Sequence, residues 1–223
     1  MVKENGDMSL SYLIRELATT SSMDPERTDL GSEKLAWVLV SWDIELKSMP
    51  KFDKSLELLT KAIGHKSFYA LRDLEIRMGD KLIGQAKSLW TIIDLSKRTL
   101  ASIPEPFKKD YPSIDRATLK TYQVRDKDLE SLYQDLDIRV NNTDIDTNGH
   151  VSNAVYMDWM ENALDYEFYQ KLSYERVRIL YKKEIKRGED LGARIKIQDK
   201  DIFFNVYNKS TNELKTHIQA RIR

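Results

Sequence analysis

The chain has 223 residues, 41% hydrophobic and 9% aromatic, enough for a packed core in one unit or in two of about 100–120 residues. Lys+Arg and Asp+Glu balance at 36 each, which argues against bulk nucleic-acid binding, and the lack of cysteine removes disulfides, thiolate metal sites and a Cys nucleophile. No window approaches about 18 apolar residues, and the N-terminus has no charged-then-apolar leader pattern, so the expectation is a cytoplasmic protein without a membrane segment.

In chain order, LSYLIREL puts Leu10, Leu13, Ile14 and Leu17 at helical spacing. WVLVSWDIEL alternates, predicting a strand with Val38, Val40, Trp42, Ile44 and Leu46 on one face. DLEIRMGDKLIGQAKSLWTIID reads as two strands joined at Met78-Gly79-Asp80. Three of the five prolines, Pro104, Pro106 and Pro112, then mark a linker over 102–117. Beyond it, LDIRV is a strand with Leu136, Ile138 and Val140 on one face. HVSNAVYMDWMENAL is a buried helix of about four turns, and RVRILYKKEI, ARIKIQ, DIFFNVYN and ELKTHIQARI are strands.

The halves look alike. NGDMS (Asn5 to Ser9) resembles NGHVS (Asn148 to Ser152), and WDIEL resembles YKKEI, so that Glu45 answers Glu184 and Asp7 stands where His150 stands. The predicted fold is α+β, with two tandem units over 1–101 and 118–223, each an antiparallel sheet around a long central helix. The first unit lacks the strand that precedes the helix in the second, which leaves a sheet edge to be covered.

The stretch DIDTNGHVSN (144–153) fits the opening of an EF-hand loop, but the position that needs a bidentate Glu is Val155. His65, His150 and His217 are scattered, and neither a nucleophile elbow nor a phosphate loop occurs. Two readings of Asp146, Asn148 and His150 stay open on physical grounds. They are helix caps around a turn glycine, or polar groups beside a helix N-terminus able to position a carbonyl and a water.

DIDTNGHVSNAVYMDWMENAL resembles the signature D-x-N-x-H-V-x-N-x-x-Y-x-x-W of the acyl-acyl-carrier-protein thioesterases of plants and bacteria. The match falls on Asp146, Asn148, His150, Val151, Asn153, Tyr156 and Trp159. The resemblance runs over nearly the whole chain and implies two hotdog units and hydrolysis of fatty acyl thioesters of acyl carrier protein (ACP), without metal or organic cofactor. It also implies a catalytic set of Asp146, Asn148 and His150 with Glu184, on the strand after the helix. Helix N–H groups near Val151 would assist. Ile185 stands where many plant members have Cys, so this chain must work without a thiol. Direct carboxylate attack and water activation both remain open.

The resemblance further implies that the first unit shapes the acyl pocket. Leu13, Leu17, Val40 and Trp42 are the lining candidates, with Asn153 and Tyr156 on the substrate side; the same side chains read equally well as core. ACP is acidic, so a basic docking patch is expected from Arg176, Arg178, Lys182, Lys183, Lys186 and Arg187 or from Lys108, Lys109, Arg116 and Lys120, although strand alternation divides the first run between two faces. An acyl-coenzyme A thioesterase and a non-catalytic acyl-binding protein are the alternatives, and both monomer and homodimer are compatible with the sequence.

Overall fold

The computed structural model describes residues 2–22, 34–124 and 134–223. Helix α1 (Leu10–Ser22) forms where the apolar spacing predicts it. Leu10, Leu13, Ile14 and Leu17 are fully buried, and the Ser9 hydroxyl accepts from the Tyr12 N–H at 3.3 Å in the first turn. The strands β1 (Leu35–Leu46), β2 (Leu56–Lys66), β3 (Tyr69–Met78) and β4 (Lys81–Asp94) follow, with a short β5 (Thr99–Ala101) on β4. Gly79 turns β3 into β4 at φ +58°, a conformation that costs glycine little. The sequence reading did not assign β2.

The connection contains two short helices, α2 (Glu105–Asp110) and α3 (Arg116–Tyr122), the second capped by the Asp115 carboxylate, which accepts from the Thr118 N–H. The second half contributes β6 (Gln134–Ile138), α4 (Val155–Asn162), α5 (Tyr166–Lys171), β7 (Tyr174–Tyr181), β8 (Leu191–Gln198), β9 (Asp201–Asn208) and β10 (Leu214–Ile222).

All the strands join one antiparallel sheet in the order β2-β3-β4-β1-β7-β10-β9-β8-β6, with β5 beside β4. Moving outward from the central β1·β7 pair, β4-β3-β2 on one side matches β10-β9-β8 on the other. The repeated halves are therefore two hotdog units fused edge to edge. A single apolar core unites them, drawing Leu13 and Leu17 from α1, Tyr156 and Met160 from α4, and Trp42, Val177, Phe204 and Ile218 from the sheet.

Two strands have no counterpart: the short β5 beside β4, and β6, since among the described residues no strand precedes α1. The linker takes over part of that role on the β2 edge. The His65 N–H donates to the Pro112 carbonyl at 3.0 Å, and the Ile114 N–H donates to the His65 carbonyl at 2.9 Å. Gly64 permits this approach. A Cβ there would lie 2.4 Å from the Pro112 oxygen, and its φ is +152°.

Two expectations need correction. The pairing of β1 with β4 shifts between Leu39 and Ser41, so the alternation changes face at Val40. Trp42, Ile44 and Leu46 enter the main core. Val40 instead packs beneath α3 with Leu71, Leu89, Leu119 and Tyr122, and Val38 is exposed. The predicted four-turn helix is also shorter, running from Val155 to Asn162. Upstream, the Val151 and Ser152 N–H groups are taken by the Ile185 and Asp144 carbonyls. Downstream, the Asp165 carboxylate accepts from the Phe168 N–H and starts α5.

Candidate active site

The loop before α4 is built around the Asp146 carboxylate. Its Oδ1 accepts from the Asn148 N–H at 2.8 Å and from the His150 N–H at 3.2 Å, and its Oδ2 lies 3.4 Å from the Asn148 side-chain amide nitrogen. The Asp146 N–H returns a bond to the His150 carbonyl at 2.8 Å, and Gly149 makes the turn at φ +77°. Asp146 thus fixes the backbone that carries Asn148 and His150. Asp144 turns away from the loop centre, accepting from the Asn141 N–H at 2.7 Å, so the EF-hand-like spacing closes a capped turn. Among the described residues no group of three or more His, Cys, Asp or Glu is arranged to hold a metal ion.

The loop is pinned to residues 184–186 by a His150–Lys186 bridge and by the Val151 N–H, which donates to the Ile185 carbonyl at 2.9 Å. This bond spends the Val151 N–H, so that group is not an oxyanion donor as expected. The same pinning brings His150 Nε2 to 3.2 Å from Glu184 Oε2, while the Lys186 ammonium lies 3.6 Å from Glu184 Oε1. Glu184 is half exposed and His150 less so. Glu184 lies three residues beyond β7 and not on the strand. Glu189 stabilises this segment. Its Oε1 accepts from the Lys186 N–H at 2.8 Å, and its Oε2 pairs with the Lys215 ammonium at 2.8 Å.

Asn153 and Tyr156 sit where the loop enters the core. The Tyr181 hydroxyl donates to the Asn153 carbonyl at 2.8 Å, and the buried Tyr156 ring lies edge-on to Tyr181 and Trp159. Burial raises the pKa of both the Tyr156 and Tyr181 phenols, which keeps the Tyr181 proton available to Asn153. Leu13, Leu17 and Trp42 share the inner core, whereas Val40 lies on the other side of the sheet.

Four of the residues singled out in the sequence therefore come together as two contacts on one loop, Asp146 with Asn148 and His150 with Glu184. Lys186, Tyr181 and Glu189 were missed as supports. Lys186 was counted only as surface charge, although it lies two residues from Glu184 on the same segment. Glu45 does not answer Glu184. The bridges Asp7–Lys51 and His150–Lys186 are equivalent, and they put Met49 at the Glu184 position; Glu45 remains on β1, 3.2 Å from Arg176. The basic run is divided as alternation requires. Arg176 clasps Asp43 with two bonds of 2.7 and 2.8 Å, with Arg178 3.5 Å from the same carboxylate, while Lys182, Lys183 and Arg187 are exposed around Glu184.

Residues 1–111 match the family model for the acyl-ACP thioesterase N-terminal domain, and residues 111–223 match that for the acyl-ACP thioesterase C-terminal domain. The Arabidopsis thaliana chloroplastic oleoyl-acyl carrier protein thioesterase 2 is 22% identical over 206 residues, covering 81% of this chain and 55% of its own length. The chain spans about half the length of the curated relatives it matches. An acyl-ACP thioesterase from Bacteroides thetaiotaomicron superposes with a TM-score of 0.81 at 20% identity, covering 100% of this chain and 93% of that one. For the 12:0-ACP thioesterase from Umbellularia californica the TM-score is 0.80 at 14% identity, with 100% and 92% covered. These structural likenesses show the double hotdog fold.

Proposed function

The chain belongs to the acyl-ACP thioesterase family, and from that premise we propose that it hydrolyses fatty acyl thioesters of ACP through Asp146, Asn148, His150 and Glu184. The observation that carries this reading is the 3.2 Å contact of His150 Nε2 with Glu184 Oε2 on a loop ordered by Asp146. The chain has no cysteine, so the nucleophile is not a thiolate.

Water attacks the thioester carbonyl carbon, and its proton passes to the Glu184–His150 pair. The Asn148 amide polarises the carbonyl oxygen. The tetrahedral intermediate collapses with cleavage of the C–S bond, the thiol leaves with the proton returned by the pair, and the fatty acid is released. A thiolate is a good leaving group, so one base suffices. Both Glu184 oxygens face cationic or imidazole partners, at 3.2 and 3.6 Å, which favours a base over a carboxylate nucleophile. Asp146 acts through the loop, because its oxygens accept from Asn148 and His150. Leu13, Leu17 and Trp42 bound the acyl side, with Tyr156 and Asn153 at its mouth. Lys182, Lys183 and Arg187 are exposed cations flanking Glu184, and they suit an acidic carrier.

The test is free fatty acid released from ACP thioesters of graded chain length by the native chain and by His150→Ala. Release by the native chain alone is expected. No release from any of them by folded native protein would overturn the reading. Turnover of acyl-ACP is expected to fall more steeply with salt than turnover of acyl-coenzyme A; equal salt slopes would favour the coenzyme A thioester as substrate.

A further inference from the structure

We propose that the outer edge of β2 pairs with the same edge of a second copy of this chain, antiparallel and centred on Leu59. In the second unit the equivalent edge, that of β8, is closed by β6. On β2, among the described residues, only the linker at Pro112–Ile114 joins the edge, and it does so at His65. The run from Leu56 to Ala62 carries main-chain donors and acceptors along an edge that no described strand covers.

The side chains select the occupant and the register. Glu57, Leu59 and Lys61 share the exposed face, and Leu59 is 46% exposed. In an antiparallel pair centred on Leu59, each Glu57 lies opposite the other copy's Lys61, and the two Leu59 side chains meet on the two-fold axis. Centring on Lys61 or Glu57 would oppose like charges. Centring on Leu58 or Thr60 keeps the faces but sets Leu59 opposite Glu57 or Lys61 and loses both ion pairs, and a register shifted by a single residue would set the inner face of one copy beside the outer face of the other. The segment that pairs ends at Ala62, before the linker contact at His65. The self-complementary order of acid, leucine and base is what a second copy of this chain fits.

Light scattering and sedimentation of the full chain test this. The native protein is expected to associate reversibly to twice the mass of one chain. Leu59→Lys is expected to remain a single chain and folded, because its new charge faces Glu75 on β3 within the chain but repels its own copy across the axis. Lys61→Glu is expected to weaken association at least tenfold, and Glu57→Lys combined with Lys61→Glu to recover it. Circular dichroism checks that each variant is folded. A native chain of single mass at every concentration would overturn the proposal, as would a dimer that survives Leu59→Lys or a double exchange no better than the single one.

Discussion

The loop from Lys3 to Ser9 and the loop from Asp146 to Ser152 share one backbone. The Lys3 N–H donates to the Asp7 carbonyl at 2.8 Å, as the Asp146 N–H does to that of His150. Gly6 and Gly149 turn at φ +80° and +77°. The Met8 N–H donates to the Pro50 carbonyl at 2.8 Å, as the Val151 N–H does to that of Ile185 at 2.9 Å. The side chains differ at three of the four chemical positions, with Lys3 for Asp146, Asp7 for His150 and Met49 for Glu184, whereas Asn5 matches Asn148.

In the first loop the polar groups are spent on structure. Asp7 is buried and takes the Lys51 ammonium at 2.6 Å, and the buried Lys3 donates to the Leu172 carbonyl at 2.8 Å. Burial lowers the Lys3 pKa, opposed by the attraction of Glu161 and Asp7. In the second loop the corresponding groups stay at the surface and face one another. A shared scaffold therefore supplies the position, and solvent access with side-chain identity decides between a brace and a candidate reaction centre.

The comparison is broken most directly by swapping what each loop loses. His150→Ala and Glu184→Ala are each expected to lower kcat about 10²-fold or more with little change in melting temperature, on the scale of general acid–base groups. Steady-state release of fatty acid checks this. Asp146→Ala is expected to lower kcat by about 10²-fold as well, with loosening of the loop seen as faster amide exchange at Asn148 and His150; unchanged exchange would remove Asp146 from its positioning role. Asp7→Ala is expected to do the reverse. Turnover stays within about twofold, while denaturant unfolding shows a loss of roughly 2 kcal/mol, since the charge-assisted bonds of the buried Asp7 carboxylate are lost while the half-exposed Lys51 returns to water. A large fall in turnover with unchanged stability would mean that the first loop takes part in the chemistry.

The smallest effect concerns Glu161, which lies beneath the first loop. Its Oε1 accepts from the Leu10 N–H and the Tyr174 hydroxyl, and its Oε2 has no hydrogen-bond partner. Burial raises its pKa, against the pull of the Leu10 N–H, Lys3 and Tyr174; Asp158 adds to the rise. A carboxyl group with a raised folded pKa contributes stability that is complete below its unfolded pKa and is lost as pH rises through the folded one. Glu161→Gln keeps the acceptor without the charge. Its stability relative to native is expected to improve, by about 1 kcal/mol, as pH rises from the ordinary carboxylate range through the raised folded pKa, and to level off above it. Urea midpoints across that range check the sign.

Much of this was legible in the sequence because it is local. The Leu10, Leu13, Ile14, Leu17 spacing, the Gly79 turn and the NGDMS/NGHVS repeat each report on a few neighbouring residues, and each holds. What failed depended on partners far along the chain. The bulge that turns Val40 outward follows from pairing with β4, and the late start of α4 follows from the Ile185 and Asp144 carbonyls. The alignment of Glu45 with Glu184 rested on similar letters, whereas the equivalence is set by which residue bridges to which loop. The His150–Glu184 contact came from the family resemblance, because 34 residues separate the two and no spacing rule links them.

The β1·β7 seam has a consequence for how such a molecule changes over time. In a symmetric pair of identical chains every substitution occurs twice, so a residue that serves one copy's reaction must be tolerated in the other's brace. Here the seam unites two separately encoded halves in one sheet. Lys3 and Asp146 can therefore change independently, and one half can keep a brace where the other carries the proposed reaction centre.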